Sequence, residues 1–353
     1  MEKHYKSYST PFKKGINYIL TGDIIPYNSS RDLSDTLLMT GGSSNHVITA
    51  ISCLLSFVRE FPHSPVLFID FGITPEEKCL VELCYQLIHE YHMAVGRSIP
   101  LYFRTMDWDH FPDWMHISKA MNHGGYTWKP IVIADAFYQW KGIIMWNDAG
   151  NYARDGYQRA FRAVYQEGIF LPYDHARLNL KLHMDCYNYL IEHHLAKPFD
   201  RNVTSGRAIF MLFDYRNSIC RENIMIPWIQ CAYTRKCMAL KNVTKAYHLP
   251  EQGVLTVLIR ENNLTLSCDQ EKSYYPFMWR DNDPHNRVIP NKQLQFDIES
   301  VNNVTGKDYS QHLFTKCISC GVSLQKPFRM SYTTLRLLLS RFKICRVLTS
   351  MSN

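Results

Sequence analysis

Four short apolar runs, each closing on a hydroxyl or carboxyl residue, constrain this chain more than any other feature. They are TLLMT (Thr36 to Thr40), VLFID (Val66 to Asp70), IPLYFRTMD, which ends near Asp107, and GIIMWNDAG, which releases Asp148 into a turn of small residues. Each has the length and apolar content of a buried strand. The stretches between them carry helical spacing. His46 to Arg59 is the first. Thr74, Pro75 and Glu77 then supply a capping hydroxyl, a proline at the first helical position and a glutamate three residues after the cap. That helix runs through LVELCYQLIHEY. Trp128 to Trp140 follows, with Pro130 in the first turn, where a missing N–H costs nothing. Further on, Tyr152 to Glu167 reads as a helix and Ala208 to Asp214 as a strand. NIMIPWIQCAYTRKCMAL and GVLTVLIREN read as amphipathic helices.

Strand alternating with helix predicts an α/β fold, a mostly parallel twisted sheet with helices on both faces. Ligands of such sheets bind outside the carboxyl ends of the strands. Thr40, Asp70, Asp107 and Asp148 all fall at those ends, which gives them the look of the rim of a nucleotide site. TGGSSN does not have the spacing of the dinucleotide fingerprint.

The composition fits this reading. A chain of 353 residues with 46% hydrophobic and 20% charged residues is globular and can bury one large core or two smaller ones. The net charge of +7 is spread along the chain. The basic residues of the last third, Arg336, Arg341, Lys343 and Arg346, lack the interleaved aromatics of a nucleic-acid stripe, so no nucleic-acid partner is expected. No run reaches the ~20 apolar residues of a membrane span. HVITAISCLLSFV comes nearest, and reads as the first helix of the fold. The leading MEKHYKSYSTPFKKG is too polar for a secretory signal. Eleven cysteines and acceptor sequons at Asn28, Asn202, Asn242, Asn263 and Asn303 point towards the secretory pathway, against the missing signal. Cys317 and Cys320 form a C-x-x-C with no second pair to complete a zinc site. HEYH is not the H-E-x-x-H of a zinc protease.

The stretches LLMTGGSSNHV, VLFIDFGIT, YTWKPIVIADAF, IIMWNDAGN, Cys231 to Cys237 and HLPEQGVLTVLI occur in an order that carries a resemblance. From Thr36 to Phe277 the chain resembles a family of poorly characterised eukaryotic proteins with a nucleotide-diphospho-sugar transferase domain of GT-A type. The resemblance implies a glycosyltransferase domain over 36–277; outside it, the polar residues 1–35 read as a lead-in or stem and 278–353 as an irregular extension. It implies a metal-dependent transfer of sugar from a nucleotide-diphosphate donor to a hydroxyl on a glycan or glycoprotein. It also implies Mn²⁺ or Mg²⁺ as cofactor, a Golgi or ER lumen location, a membrane anchor of which this chain shows no segment, and a disulfide between Cys231 and Cys237.

The residues take their expected roles from this chemistry, each beside a plainer one. Asp148 is a hard oxygen ligand for the metal, or the cap of a turn after a strand. Thr40, Ser43, Ser44 and Asn45 meet the donor's base, ribose or phosphate, or cap the first helix. Asp70 bonds base or ribose, or caps its turn. Lys129 neutralises the diphosphate, or is a surface lysine. Glu251 takes a proton from the acceptor hydroxyl, with Gln252 beside it on the donor, or Glu251 is a helix N-terminal acid favoured by the dipole. Two features of the pattern bear on catalysis. Asn147, Asp148 and Gly150 supply only one of the two acids that many GT-A enzymes carry in a D-x-D motif, as in this family's D-x-G form. His248, Leu249, Pro250, Glu251 and Gln252 replace an H-R-F-D-Q segment, lengthening the acid and losing the basic residue. They leave a catalytically inactive, nucleotide- or glycan-binding relative as the alternative. A metal-free doubly wound enzyme such as a methyltransferase is a third, weaker reading.

Overall fold

The computed structural model describes residues 20–23, 25, 35–44, 46–118, 121–151, 157–238 and 249–266. The expected elements at residues 152–156 and beyond 266, the C-x-x-C pair, and the sequons at Asn28, Asn242 and Asn303 lie outside them.

The chain enters the sheet at β1 (Leu20–Gly22), a short edge strand. β2 (Thr36–Gly42) follows, and every residue of it is buried. Burial on both faces is what a central parallel strand requires, and explains its apolar run. Helix α1 (Val47–Glu60) returns the chain to β3 (Val66–Asp70), and α2 (Pro75–Ala94) returns it to β4 (Leu101–Met106). These three strands are parallel neighbours. The start of α2 is the capping box foreseen in the sequence. Glu77 donates its N–H to the Thr74 hydroxyl at 3.3 Å, and the Thr74 N–H reaches the Glu77 carboxylate at 2.8 Å.

Helix α3 (Trp128–Trp140) then crosses to the other side of β2, where β5 (Ile143–Asn147) pairs parallel to it. The strand order reverses between β2 and β5, which makes their carboxyl ends the place where a crevice opens. After α4 (Tyr157–Glu167) come the short β6 (Ile169–Phe170), β7 (Tyr173–Arg177), α5 (Met184–Glu192), β8 (Thr204–Gly206) and β9 (Phe210–Asp214). β9 runs antiparallel between β5 and β6, and β7 pairs with β8 as a separate ribbon. The seven-stranded sheet has the order β1-β4-β3-β2-β5-β9-β6.

The expected long helix over NIMIPWIQCAYTRKCMAL is broken. A π-helical stretch, Ile219–Met225, leads into α6 (Ile226–Ala232), and α7 (Arg235–Met238) follows after a turn. Pro227 has no N–H to donate and stands where the ladder changes from π to α. α6 closes at Ala232 with Tyr233 as its cap residue, and just beyond it the Thr234 hydroxyl donates back to the Gln230 carbonyl at 2.8 Å. The Cys231–Cys237 disulfide spans this break. Closing so short a loop constrains the unfolded chain by about 2 kcal/mol in the chain-entropy account. The double replacement Cys231→Ala, Cys237→Ala is expected to lower unfolding free energy in urea by about that amount. A change below ~0.5 kcal/mol would show that the bond constrains nothing the native packing does not already fix.

The last described helix is α8 (Pro250–Glu261). Period-two alternation along the strands sorts the core into two layers. Leu38, Val66, Phe68, Ile143 and Met145 face α1, α2 and α4. Leu37, Met39, Leu67, Ile69, Ile144 and Trp146 face α3, α6 and α8. No described helix is long and apolar enough to cross a membrane.

Candidate functional site

The alternation continues past the end of β5 and decides what meets there. Ile144 and Trp146 face the α3 layer, and Asp148 has the same parity. The Asp148 N–H donates to the Ile209 carbonyl at 2.8 Å, which pins the turn against the residue before β9. Its carboxylate oxygen Oδ1 accepts from the Trp146 indole at 2.8 Å and pairs with the Lys129 ammonium at 2.9 Å. Lys129 is 3% exposed, so it is not the surface lysine of the plainer reading, whereas the Asp148 side chain keeps 31% of its surface. A second N–H of the ammonium goes to the Ala208 carbonyl at 2.9 Å. The rings of Tyr126 and Trp128 lie 5.7 and 5.8 Å from the nitrogen, a cation–π surround.

Lys129 reaches this place because of the turn that precedes α3. Gly124, Gly125 and Tyr126 are successive left-handed residues. A Cβ on Gly124 would come within 2.1 Å of the Met115 carbonyl oxygen, so only glycine fits. The turn delivers Lys129 in the first turn of α3, beneath the crevice.

Glu251 and Gln252 come from the opposite wall. The Leu249 N–H donates to the Lys181 carbonyl at 2.7 Å, and the Trp228 indole donates to the Glu251 carbonyl at 2.9 Å, so the start of α8 is fixed. The Glu251 carboxyl is buried, and its Oε2 has no hydrogen-bond partner. Burial pushes its pKa up to about 7; the charge of Lys129 opposes that rise and the charge of Asp148 adds to it. The Glu251 carboxyl thus lies within electrostatic range of the Lys129–Asp148 pair. Gln252 is locked by the β7–β8 ribbon, donating to Asp174 Oδ2 at 3.0 Å and to Ser205 Oγ at 3.3 Å.

The remaining candidates lie elsewhere. Thr40 is fully buried on the α1 layer beside Cys53, and its hydroxyl has no hydrogen-bond partner among the described residues. Asn147 joins it there, its amide 3.4 Å from the Cys53 sulfur. Burial holds that thiol up at about 12, so it is a packed, unreactive group. Asp70 also has the α1-layer parity. Its Oδ1 accepts from the Gly72 and Ile73 N–H groups at 2.7 and 2.8 Å, and its Oδ2 from the Thr105 hydroxyl at 3.3 Å. These contacts are those of a turn cap. Ser44 donates to the Gly72 carbonyl at 3.3 Å, and the Ser43 carbonyl takes the His46 N–H at 2.7 Å. Asp107 caps a short 3-10 turn by accepting the Asp109 N–H. Asn45 lies outside the described residues.

The structure thus brings together Lys129, Asp148 and Glu251, with Gln252 adjoining, and sets Thr40 and Asp70 on the other layer. Trp146, Asp174 and Ser205 belong to the site and were not singled out from sequence. Trp146 was legible there: two residues before Asp148, it shares its face.

A divalent metal fits these residues poorly. It needs several hard oxygens, yet one oxygen of Asp148 is already taken by an indole and an ammonium. Among the described residues no group of three or more His, Cys, Asp or Glu side chains could hold a metal ion.

No family model and no curated protein matches the chain. Solved structures similar to it include the apo bifunctional glycosyltransferase WbbM, at 11% identity and TM-score 0.41 over 68% of this chain and 40% of that one. Core-mannan synthase A from Aspergillus fumigatus, in its Mn/GDP form, is 10% identical with TM-score 0.40 over 67% of this chain and 72% of that one. The galactosyltransferase LgtC, in complex with donor and acceptor sugar analogues, is 9% identical with TM-score 0.39 over 76% of this chain and 95% of that one. The chain spans well under half the length of WbbM. At scores and identities of this size none of these likenesses assigns a residue or a reaction to the chain.

Proposed function

We propose that the crevice at the carboxyl end of β5 binds a nucleotide-diphosphate sugar and transfers the sugar to a hydroxyl of a glycan or glycoprotein. The observation that carries this reading is the convergence of Lys129, Asp148 and Glu251 from separate elements at the point where the strand order reverses. The sequence resemblance supplies the reaction class. In it, the bond from the anomeric carbon to the β-phosphate oxygen breaks, and its electron pair leaves with the nucleoside diphosphate. A bond from the acceptor oxygen to that carbon forms, and the acceptor proton passes to the Glu251 carboxylate. Lys129 offers positive charge to the departing diphosphate in a site shielded from water, where charge counts most. Asp148 and Trp146 hold that ammonium in place. Gln252, fixed by Asp174 and Ser205, positions the donor. The disulfide, together with the exposed asparagines of the Asn202 and Asn263 sequons, supports work in the secretory lumen.

The test is release of nucleoside diphosphate from a panel of donors, followed across pH. A base must be ionised, so a carboxyl titrating near 7 makes the rate rise about tenfold per pH unit below that value and level off above it. Glu251→Gln is expected to lower the plateau by about 10²–10⁴-fold and to abolish the rise. A wild-type rate flat between pH 5 and 8 would remove Glu251 from this role. Donor binding without any turnover would favour the inactive relative, for which the single acid of the N-D-x-G turn is the supporting observation.

A further inference from the structure

We infer that the Lys129 ammonium is the resident cation of this crevice, occupying the place beside Asp148 where a divalent metal would sit and receiving the donor's diphosphate without one. This rests on the reading that the crevice takes a nucleoside diphosphate. The Lys129 ammonium and the Trp146 indole fill both acceptor positions of Asp148 Oδ1, so a metal would be left with Oδ2 and no further carboxylate cluster among the described residues. Lys129 Nζ lies 2.9 Å from Asp148 Oδ1, and the Trp146 indole lies 2.8 Å from that same oxygen. A metal approaching this carboxylate would also meet the ammonium's positive charge in a poorly screened setting. The ammonium is also built in rather than placed by chance. It is 3% exposed, bonded to the Ala208 carbonyl at 2.9 Å, and flanked by the Tyr126 and Trp128 rings.

Among the described residues its donor inventory leaves one arm free. An ammonium has three N–H groups; Asp148 and Ala208 take two of them. The third is available to a phosphate oxygen. Asp148 keeps 31% of its side-chain surface, so the pair lies at the edge of the crevice rather than sealed in the core. Glu251 Oε2 is buried with no hydrogen-bond partner among the described residues. The local sequence fits as well. Asp148 is the one acid of its turn, with Asn147 before it and Gly150 two residues after it, and a single carboxylate matches a single positive charge.

The experiment is calorimetric titration of UDP and of GDP into the whole chain, once in EDTA and once in Mn²⁺, with Mn²⁺ alone titrated separately. The expected result is binding of one nucleotide with the same affinity, within about threefold, in both buffers. Lys129→Met should weaken that binding at least tenfold in EDTA. Mn²⁺ should restore part of it in the variant, because Asp148 Oδ1 is then open to a metal. Binding that requires Mn²⁺ in the wild type would overturn the inference while leaving the sugar-transfer reading intact. So would a Lys129→Met variant that binds as tightly as wild type in EDTA. Absence of binding for either nucleotide in both buffers would overturn both readings. If Lys129→Met does not fold, the electron paramagnetic resonance signal of free Mn²⁺ decides on the wild type. A signal undiminished by wild-type protein supports the inference. Capture of Mn²⁺ at micromolar protein, lost in Asp148→Asn, overturns it.

Discussion

Replacing Arg216 by methionine is expected to destabilise the protein by about 3–5 kcal/mol, a large part of the 5–15 kcal/mol that holds a typical domain together. Arg216 follows β9 and clamps two buried acids. Its Nε lies 2.7 Å from Asp214 Oδ1, and its backbone N–H reaches the same oxygen at 2.9 Å. Its other arm pairs with Asp35, which is fully buried just before β2 and whose carbonyl accepts the Trp140 indole at 2.6 Å. The clamp therefore ties the start of β2, the end of α3 and the end of β9. Gly142 allows the close approach: a Cβ there would lie 2.6 Å from Asp35 Oδ1. Methionine fills much of the volume but leaves two carboxylates in the interior without their cation, which is why the cost exceeds that of a lost surface pair. Urea unfolding should show a lower midpoint with an unchanged slope. Lysine should recover only part of the loss, because an ammonium cannot span both acids as a planar fork does. The clamp lies at the amino end of the parallel strands, opposite the crevice, so nucleotide affinity of the folded variant should be unchanged. A loss below ~1 kcal/mol would mean that the acids find water or other donors when Arg216 is gone.

Trp228→Ala is expected to cost a similar ~3–5 kcal/mol and, unlike the first, to reach the site. Trp228 is fully buried on α6, and its ring stacks on Phe213 with centroids 5.7 Å apart. Removing the indole leaves a large cavity between α6 and the sheet. It also removes the donor that holds the Glu251 carbonyl at 2.9 Å, and with it one of the fixings of the start of α8. Trp228→Phe separates the two effects. It keeps most of the packing and loses the hydrogen bond, for about 1 kcal/mol of stability. If Glu251 takes the acceptor proton, Trp228→Phe should lower kcat by more than it lowers affinity for the nucleotide. Equal stability of Trp228→Phe and wild type, with unchanged kcat, would show that the indole only fills space.

Much of this was readable in the chain before it folded. The apolar run of β2, the capping box at Thr74 and Glu77, and the first-turn Pro130 of α3 are local facts. Local sterics and hydrogen bonding enforce them whatever else the chain does. The strand ends were legible for the same reason, and so was the parity of Trp146 and Asp148. The break of the long helix at Thr234 was not, because it depends on a hydroxyl turning back onto Gln230 where the helical pattern continues unbroken.

The candidate site divides along the same line. Sequence placed Thr40, Asp70 and Asp148 on one rim, because each ends a strand. It could not weigh one end against another without knowing which helices cover which face. Tertiary packing put α1 over Thr40, so that its hydroxyl is sealed in the core, and wrapped the turn after β3 around Asp70. It brought Lys129 from the first turn of α3 and Glu251 from α8 to the crevice beside Asp148, across more than a hundred residues of chain. By itself the sequence determined the layered sheet and where the carboxyl ends of its strands lie, since these follow from period and local chemistry. Only the fold decided that the partner of Asp148 is an ammonium, because whether a charge is buried and what faces it depend on contacts between distant segments.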